Sequence, residues 1–187
     1  MNFCSACGGK VSLKIPDEDN RPRFVCQDCE KVHYQNPKIV VGCIAEWQGK
    51  ILLCHRAIEP RYGMWTLPAG FMENHETAMQ GAARETMEEA TASIEDMQLF
   101  AVFNITHISH VYIMFRGKVV NGLAEPGAES LATHFFNEEE IPWDELAFPV
   151  INESLELYFE DRKNKHFKTH MGDLVRDENH SLTIKRY

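Results

Sequence analysis

The stretch that decides the fold runs from Gly70 to Ala92 and reads GFMENHETAMQGAARETMEEATA. It predicts a loop followed by a helix, on which side chains three and four residues apart share one face. The carboxylates of Glu85, Glu88 and Glu89 are therefore expected to form one acidic cluster. Carboxylates so close repel each other unless a cation lies among them, and hard oxygen ligands suit Mg²⁺ or Mn²⁺. The simpler alternative is a solvated acidic face on a surface helix.

The other face of this predicted helix is expected to pack on the core. It comprises Met79, Ala82, Ala83, Thr86, Met87 and Ala90. Gly81 shares the acidic face, and a glycine inside a helix costs about 1 kcal/mol relative to alanine. Close approach of a substrate would explain that cost.

The stretch resembles the Nudix box, the signature of hydrolases that cut a nucleoside diphosphate linked to another group. The residues before it, Gly63-Met64-Trp65-Thr66-Leu67-Pro68-Ala69-Gly70, also resemble the usual lead-in. Thr91 departs from the family pattern, which has glycine there in a left-handed helix end. Because a β-branched residue is poor in that conformation, the helix is expected to end in another way.

The resemblance implies an α/β fold, a Nudix-type α/β/α sandwich with a mixed sheet. It implies that six residues are catalytic: Glu76, Arg84, Glu85, Glu88, Glu89 and Glu129. The last four of these, with the backbone carbonyl of Ala69, would bind the catalytic Mg²⁺ or Mn²⁺. Arg84 would orient Glu76 across the junction of loop and helix. Glu125 could take the place of Glu129, since both belong to one loop.

A second motif opens the chain, where Cys4 and Cys7 form one Cys-x2-Cys pair and Cys26 and Cys29 form another. Paired motifs at this separation predict a structural zinc site, because four thiolates close a tetrahedral shell around Zn²⁺. The alternative is a disulfide framework. The chain shows no secretory signal before Cys4, which favours a reducing, cytoplasmic location and therefore zinc.

Composition narrows the class of protein further. The chain has 187 residues, with 28 acidic and 19 basic side chains. This balance argues against broad electrostatic binding of nucleic acid, which is an unlikely partner. No apolar run approaches the roughly eighteen residues that span a membrane, so no membrane partner is expected. The ribbon has few basic residues, and its expected use is packing or contacts within a homodimer.

Turn-forming residues and changes in composition divide the sequence into three parts. Residues 1–36 are predicted to form a zinc ribbon, 37–165 a hydrolase domain and 166–187 a polar C-terminal tail. Apolar, β-branched runs predict strands, and an amphipathic pattern predicts a helix over 150–163. The strands are predicted over 38–47, 51–55, 99–105, 111–120 and 131–136.

Ribbon and box together resemble NADH pyrophosphatases, but their Gln-Pro-Trp-Pro-Phe-Pro element is replaced here by residues 104–109. The likeness to plant chloroplast FAD and ADP-ribose pyrophosphatases is greater. It rests on residues 33–38, 52–54, 65–71 and 126–131. The expected function is therefore metal-dependent hydrolysis of the diphosphate bridge of FAD or ADP-ribose, a small dinucleotide or nucleoside-diphosphate substrate. NADH or NAD is the alternative substrate, and a non-catalytic Nudix ligand sensor is the alternative of another class. Tyr62 and Phe71 are candidates for stacking on a flat ring of the substrate.

Overall fold

The computed structural model describes residues 1–179 and 181–187. These residues divide into two compact units, Met1–Pro37 and Lys38–Tyr187. In the part of the chain that is described, no helix has both the length and the apolar character to cross a membrane.

The smaller unit is a three-stranded antiparallel sheet in the order β1-β2-β3. Its strands are β1 (Val11–Lys14), β2 (Arg23–Cys26) and β3 (Val32–His33). The buried apolar side chains of this unit are Cys4, Val25 and Cys26 among the residues described. So small a core cannot hold a unit of this size together alone, and such units usually require a metal or a disulfide.

The larger unit is built on a nine-stranded mixed sheet in the order β10-β5-β4-β9-β8-β11-β12, with β6 paired to β5 and β7 to β4. The β4–β9 and β8–β11 pairs are parallel and the rest are antiparallel. The strands are β4 (Lys38–Trp47), β5 (Lys50–Arg56), β6 (Trp65–Thr66), β7 (Ala69–Phe71), β8 (Ile94–Ile105), β9 (His110–Val119), β10 (Ser130–Phe136), β11 (His170–Arg176) and β12 (Leu182–Arg186). The helices are α1 (Ala78–Ala90) and α2 (Pro149–Asn164), and short 3₁₀ turns cover Thr106–Ile108, Val120–Gly122, Glu138–Glu140 and Trp143–Glu145.

Strand β4 shows how the sheet separates two cores. Its side chains alternate between the two faces of the sheet, so Val40 and Ile44 pack in one core together with Leu155 of α2. Val41 and Cys43 pack in the other, which includes Ala82 of α1. The two helices therefore cover opposite faces, and the predicted α/β/α sandwich is confirmed.

Helix α1 ends in the left-handed conformation that we expected it to avoid. Thr91 is the C-cap, with φ 50° and ψ 31°, and its N–H donates to the carbonyl of Met87. Ala92 follows it and is fully buried. Left-handed backbone costs a non-glycine residue roughly 1–2 kcal/mol, which the capping bonds and the burial of Ala92 offset. The prediction from Thr91 was wrong because it ignored the packing of Ala92 in the core.

The buried face of α1 also differs from the predicted stripe. Met79 and Met87 are exposed, whereas Glu85 and Glu89 are buried. Gly81 is buried as well, and a Cβ there would lie 2.6 Å from Oε1 of Glu76 and 2.8 Å from Cγ2 of Val41 in β4. Packing against the strand and against Glu76, rather than a substrate, therefore explains this glycine.

The C-terminal segment is the clearest departure from the sequence analysis. Residues 166–187, expected to be a polar tail, contain β11 and β12, which continue the sheet of the larger unit. The buried positions of β11 are His170, Gly172 and Leu174, and Nε2 of His170 lies 2.8 Å from the carboxylate of Asp161. A strand that buries a paired polar residue lacks the apolar run on which the sequence reasoning relied.

Candidate active site

A cleft of about 940 Å³ opens in the larger unit, within the range of small-ligand sites. Its walls come from β7 and the loop after it, from α1, from the loop around residues 58–61 and from the start of α2. The turn before β9, the loop that ends at Glu129 and the hairpin of β11 and β12 complete it. Every metal ligand predicted for catalysis lines this cleft: Ala69, Glu85, Glu88, Glu89 and Glu129.

Glu89 carries the most unfavourable charge in the cleft. Its side chain is buried, and Oε2 accepts a 3.1 Å hydrogen bond from the N–H of Ala69. Burial raises the pKa of Glu89 to about 8, and the negative charges of Glu85 and Glu129 add to this effect. The Ala69 N–H and the charge of Arg56 oppose it. These two contacts compensate the charge of an ionised Glu89 only in part, and a cation would supply the remainder.

Glu85 lies beside Glu89 on α1 and is also buried. Burial is the main cause that raises the pKa of Glu85, although Arg84 donates to its Oε1 at 2.7 Å. A Cβ at Gly70 would overlap the Glu85 carboxylate. Only glycine at position 70 thus lets β7 approach this side chain, which explains the first residue of the box.

Arg84 joins the loop to the helix. Its Nε and one terminal nitrogen donate to the two carboxylate oxygens of Glu76 at 3.0 and 2.9 Å, a bidentate pair. The other terminal nitrogen reaches Glu85 and, at 3.0 Å, Glu88. The bonds from Arg84 to Glu76 are the largest cause that lowers the pKa of Glu76, to about 2, and a hydrogen bond from the N–H of Glu73 adds to it. The guanidinium therefore orients Glu76, as the sequence suggested, and also holds two candidate metal ligands.

The loop before β10 brings Glu129 to the cleft and leaves Glu125 outside its lining. The C-terminal carbonyls of α1 hold this loop: the N–H of Glu125 donates to Ala90 at 2.8 Å and that of Gly127 to Glu89 at 3.0 Å. A Cβ at Gly127 would overlap the carbonyl of Glu88. The lining of the cleft therefore includes Glu129, the residue that the resemblance implied, and not the alternative Glu125.

Phe71 and Tyr62, the two residues predicted to stack on a flat ring of the substrate, differ in position relative to the cleft. Phe71 lines the cleft, with Nζ of Lys38 4.8 Å from its ring centre and the ring of His110 at 5.4 Å. Tyr62 is exposed and is not part of the lining. The structure therefore gives Tyr62 no support as a substrate contact.

Two lining residues, Arg56 and His110, received no role in the sequence analysis. Arg56 is buried at the end of β5, where Nε donates to the Pro60 carbonyl at 3.0 Å and the guanidinium lies 5.2 Å from the ring centre of Phe148. Nδ1 of His110 is buried without a hydrogen-bond partner among the residues described. A single Arg or His at a strand end looks like surface charge in a sequence, so no local pattern signals either residue.

The four cysteines of the smaller unit form the other candidate metal centre. Their sulfur atoms lie within 4.8 Å of one another, and no other set of three or more potential ligand side chains meets that limit among the described residues. Cys4–Cys29, Cys7–Cys26 and Cys7–Cys29 sulfurs are 3.7, 3.4 and 3.4 Å apart. A disulfide is about 2.05 Å long, whereas four thiolates at about 2.3 Å from one ion lie roughly 3.8 Å apart. The spacing fits Zn²⁺ and excludes the disulfide alternative.

Backbone donors and one histidine also suit thiolates at this centre. The N–H groups of Cys29 and Asp28 donate to the sulfur of Cys26 at 3.4 Å. The Cys29 bond is the largest cause that lowers the pKa of the Cys26 thiol, to about 7. Nε2 of His33 lies 3.3 Å from the sulfur of Cys4. This buried histidine is a contact that the cysteine spacing alone did not predict.

Comparison with known families agrees with both centres. A model of the zinc ribbon described as Nudix N-terminal matches residues 2–35, and one described as the NUDIX domain matches residues 36–158. The chain belongs to the Nudix hydrolase family. The ribbon with its four close cysteines supports a structural zinc, and Nudix hydrolases use divalent metals.

Individual Nudix proteins resemble the chain to different extents. A crystal structure of a NUDIX hydrolase from Nitrosomonas europaea is 53% identical, has a TM-score of 0.89 and covers 93% of this chain and 99% of its own. The NAD-capped RNA hydrolase NudC of Photobacterium profundum is 33% identical over 136 residues, 71% of this chain and 48% of that protein. The ADP-ribose pyrophosphatase of Methanocaldococcus jannaschii is 31% identical over 62% of this chain and 69% of its own.

The NudC relatives bear on the expected partners of the chain. The chain spans about half the length of the NudC relatives that it matches. The names of those relatives include RNA, so they do not support the expectation that nucleic acid is an unlikely partner.

Proposed function

We propose that this chain hydrolyses the diphosphate bridge of a nucleoside diphosphate linked to another group, with Mg²⁺ or Mn²⁺ as the catalytic metal. Its ligands would be Glu85, Glu88, Glu89, Glu129 and the backbone carbonyl of Ala69. The observation that carries the proposal is the buried Glu89, whose pKa is raised to about 8 beside Glu85 and Glu129. A buried carboxylate near like charges is costly unless it is paired or binds a metal.

The residues of the chain have separate tasks in this reaction. When bound, a divalent cation neutralises the phosphate oxygens and lowers the pKa of a bound water. Arg84 holds Glu76, Glu85 and Glu88 in one arrangement through hydrogen bonds of 2.7–3.0 Å. Glu129 approaches from a different loop, so carboxylates can face the phosphates from two sides. Their fixed positions reduce the reorganisation needed when charge develops.

The preferred substrate is an NAD-type dinucleotide. The relatives named NAD-capped RNA hydrolases favour NAD or NADH, the alternative of the sequence analysis, over FAD. The relative named ADP-ribose pyrophosphatase supports ADP-ribose as a second substrate. All these compounds share an adenosine diphosphate half, so one cleft can hold the same half of each.

A panel assay tests the proposal. AMP release is measured from NAD⁺, NADH, ADP-ribose and FAD at matched concentrations with Mg²⁺ or Mn²⁺. For a short NAD-capped RNA, whose adenosine stays in the RNA chain, release of nicotinamide mononucleotide is measured instead. We expect NAD⁺ or NADH to give the highest kcat/KM, and Glu89→Gln to abolish most of the activity. A highest kcat/KM for FAD would contradict the substrate assignment.

The same panel addresses catalysis itself. Absence of hydrolysis of every compound with both metals, measured as AMP release or, for the capped RNA, as release of nicotinamide mononucleotide, would contradict the proposed hydrolase activity. Binding of NAD⁺ under those conditions would instead support the non-catalytic sensor that the sequence left as an alternative.

A further inference from the structure

The C-terminal hairpin, formed by β11 and β12, supplies one wall of the cleft. Leu174, Arg176 and Leu182 all line it. The NUDIX domain match ends at residue 158, so this wall lies outside the matched segment. A cleft wall beyond the shared domain is a natural place for a determinant of substrate choice.

The hairpin is fixed to the rest of the unit. Asn104 of β8 donates to Asp173 at 2.8 Å, and Arg186 of β12 forms a bidentate pair with the buried Glu153 of α2 at 2.5 and 3.1 Å. A bidentate pair with a buried carboxylate is among the stronger polar contacts. The hairpin is therefore a preformed wall of the cleft.

The alternation of β11 directs Arg176 towards the cleft. Residues two apart in a strand share a face, so Arg176 shares a face with Leu174, which is buried in the core next to α2. Leu182 pairs with Arg176 across the hairpin. Lys185 pairs with Asp173. Asp173 is an odd number of residues from Arg176, so Asp173 and Lys185 belong to the opposite face of the hairpin.

Arg176 lies several strands away from the carboxylates proposed to bind the catalytic metal. From β7, which carries Ala69, the sheet continues through β4, β9 and β8 to β11. Four spacings of about 4.8 Å amount to roughly 19 Å. This exceeds the reach of an arginine side chain, so Arg176 serves the half of the ligand that is remote from the scissile bridge.

The charge of Arg176 is available for a ligand. Among residues 1–179 and 181–187, no carboxylate forms an ion pair with the Arg176 guanidinium, and no side chain forms a hydrogen bond with it. The chain carries a net charge of −9, and six of the residues that line the cleft are glutamates: Glu59, Glu73, Glu85, Glu88, Glu89 and Glu129. A guanidinium offers a planar fork of donors that matches a phosphate.

The geometry points to Arg176 as a specificity residue that binds a phosphate ester on the ribose of the substrate's adenosine half. This inference rests on the proposed function, since it assumes that the adenosine half lies along the apolar wall of Leu174 and Leu182. The phosphate could be the 2′-phosphate of a small dinucleotide. It could equally be the 3′-phosphodiester through which an RNA chain continues from the adenosine.

Titration calorimetry on the full chain with Mg²⁺ tests the inference with three probes: AMP, adenosine 2′,5′-bisphosphate and adenosine 3′,5′-bisphosphate. We expect at least one bisphosphate to bind about ten-fold more tightly than AMP, as a charge-assisted hydrogen bond allows. Arg176→Gln should lose this preference and Arg176→Lys should keep part of it. Lys185→Gln is the matched control, since it removes one positive charge from the other face of the same hairpin, and it should keep the preference in full.

The probes also distinguish the sources and the possible failures. Preference for the 3′ compound indicates RNA, and preference for the 2′ compound indicates a phosphorylated dinucleotide. Equal binding of all three probes by the native chain would overturn the inference. So would loss of the preference in Lys185→Gln, or equal weakening of AMP and bisphosphates in Arg176→Gln. None of the probes has a diphosphate bridge, so the outcome is independent of whether the panel assay detects hydrolysis.

Discussion

Glu89 concentrates the electrostatic cost of the cleft in one side chain, and its replacement is the most direct test of the catalytic centre. Glu89→Gln keeps the shape and an oxygen for the Ala69 N–H but removes the buried charge. We expect kcat to fall by a factor on the order of 10³, as when a main electrostatic stabiliser is lost. The melting temperature without Mg²⁺ should not fall, because burial and the charges of Glu85 and Glu129 raise the pKa of Glu89 to about 8, so that the neutral amide replaces a side chain that is itself mostly neutral near pH 7. Steady-state AMP release and differential scanning fluorimetry measure the two effects, and near-normal turnover would exclude Glu89 as an essential ligand.

Glu129 and Glu125 offer a comparison within one loop. Only Glu129 lines the cleft, whereas Glu125 contributes its backbone N–H to the end of α1. Glu129→Gln should therefore lower kcat far more than it raises KM, since it acts on the transition state. Glu125→Gln keeps the backbone contact and should leave both constants within about two-fold. A large loss at Glu125 with none at Glu129 would show that the wrong carboxylate has been chosen.

Glu76 predicts a specific dependence of stability on pH. Hydrogen bonds from Arg84 and from the Glu73 N–H hold its pKa at about 2, below the ordinary value of 4.5. A depressed folded-state pKa stabilises the protein above the unfolded-state pKa, and that stability is lost as the pH falls towards 2. The difference in unfolding free energy between the native chain and Glu76→Gln should thus be greatest above pH 5 and shrink below it.

Urea titrations followed by tryptophan fluorescence at several pH values measure this difference. The three tryptophans, Trp47, Trp65 and Trp143, all belong to the larger unit, so the signal reports on the unit that contains Glu76. A difference that is constant from pH 7 to pH 3 would contradict the role assigned to the Arg84 pair.

At the scale of elements, strands and helices with a regular apolar pattern were predictable from the sequence. Features whose free-energy cost is offset by tertiary contacts were not. The apolar, β-branched run of β4 and the amphipathic pattern of α2 predicted a strand and a helix at the right places. The position of three box glutamates on one helix also followed from spacing alone. The burial of Glu85 and Glu89, the left-handed Thr91 and the C-terminal hairpin did not, because each depends on contacts with residues distant in sequence.

The end of α1 allows a test of that compensation. Thr91 has φ 50°, a conformation that costs a β-branched residue roughly 1–2 kcal/mol and glycine little. Thr91→Gly should raise the unfolding free energy by about 0.5–1 kcal/mol after the greater flexibility of glycine in the unfolded chain is subtracted. Urea unfolding of both chains measures it. Thr91→Ala is the control, since alanine keeps the penalty of a Cβ, and an equal gain in both variants would contradict left-handed strain as the cause.

At the scale of the whole molecule, the two candidate metal centres differ in chemistry and lie in two separate units. A closed shell of four thiolates exchanges slowly and stabilises its own unit, whereas carboxylates bind Mg²⁺ weakly and reversibly. We expect one zinc ion per chain, retained when Mg²⁺ is removed by mild chelation. Elemental analysis after purification and after chelation measures it.

Two variants separate the centres. Cys26→Ser should lose the zinc, and Glu85→Gln should keep it while losing activity. Absence of zinc from the native chain, or loss of zinc in Glu85→Gln, would contradict the independence of the sites.

The pairing of strands has a consequence for how the chain folds. The sulfurs of Cys4 and Cys29 meet across 25 residues of sequence, whereas Asn104 and Asp173, which tie β8 to β11, are 69 residues apart. Closing longer loops costs more entropy, and distant pairings slow folding. With zinc present, the ribbon should therefore mature early, while the sheet that lines the cleft is completed late by its C-terminal hairpin. During that interval the unpaired edge of β8 is open to other chains, so association and chaperone capture are expected to involve this edge.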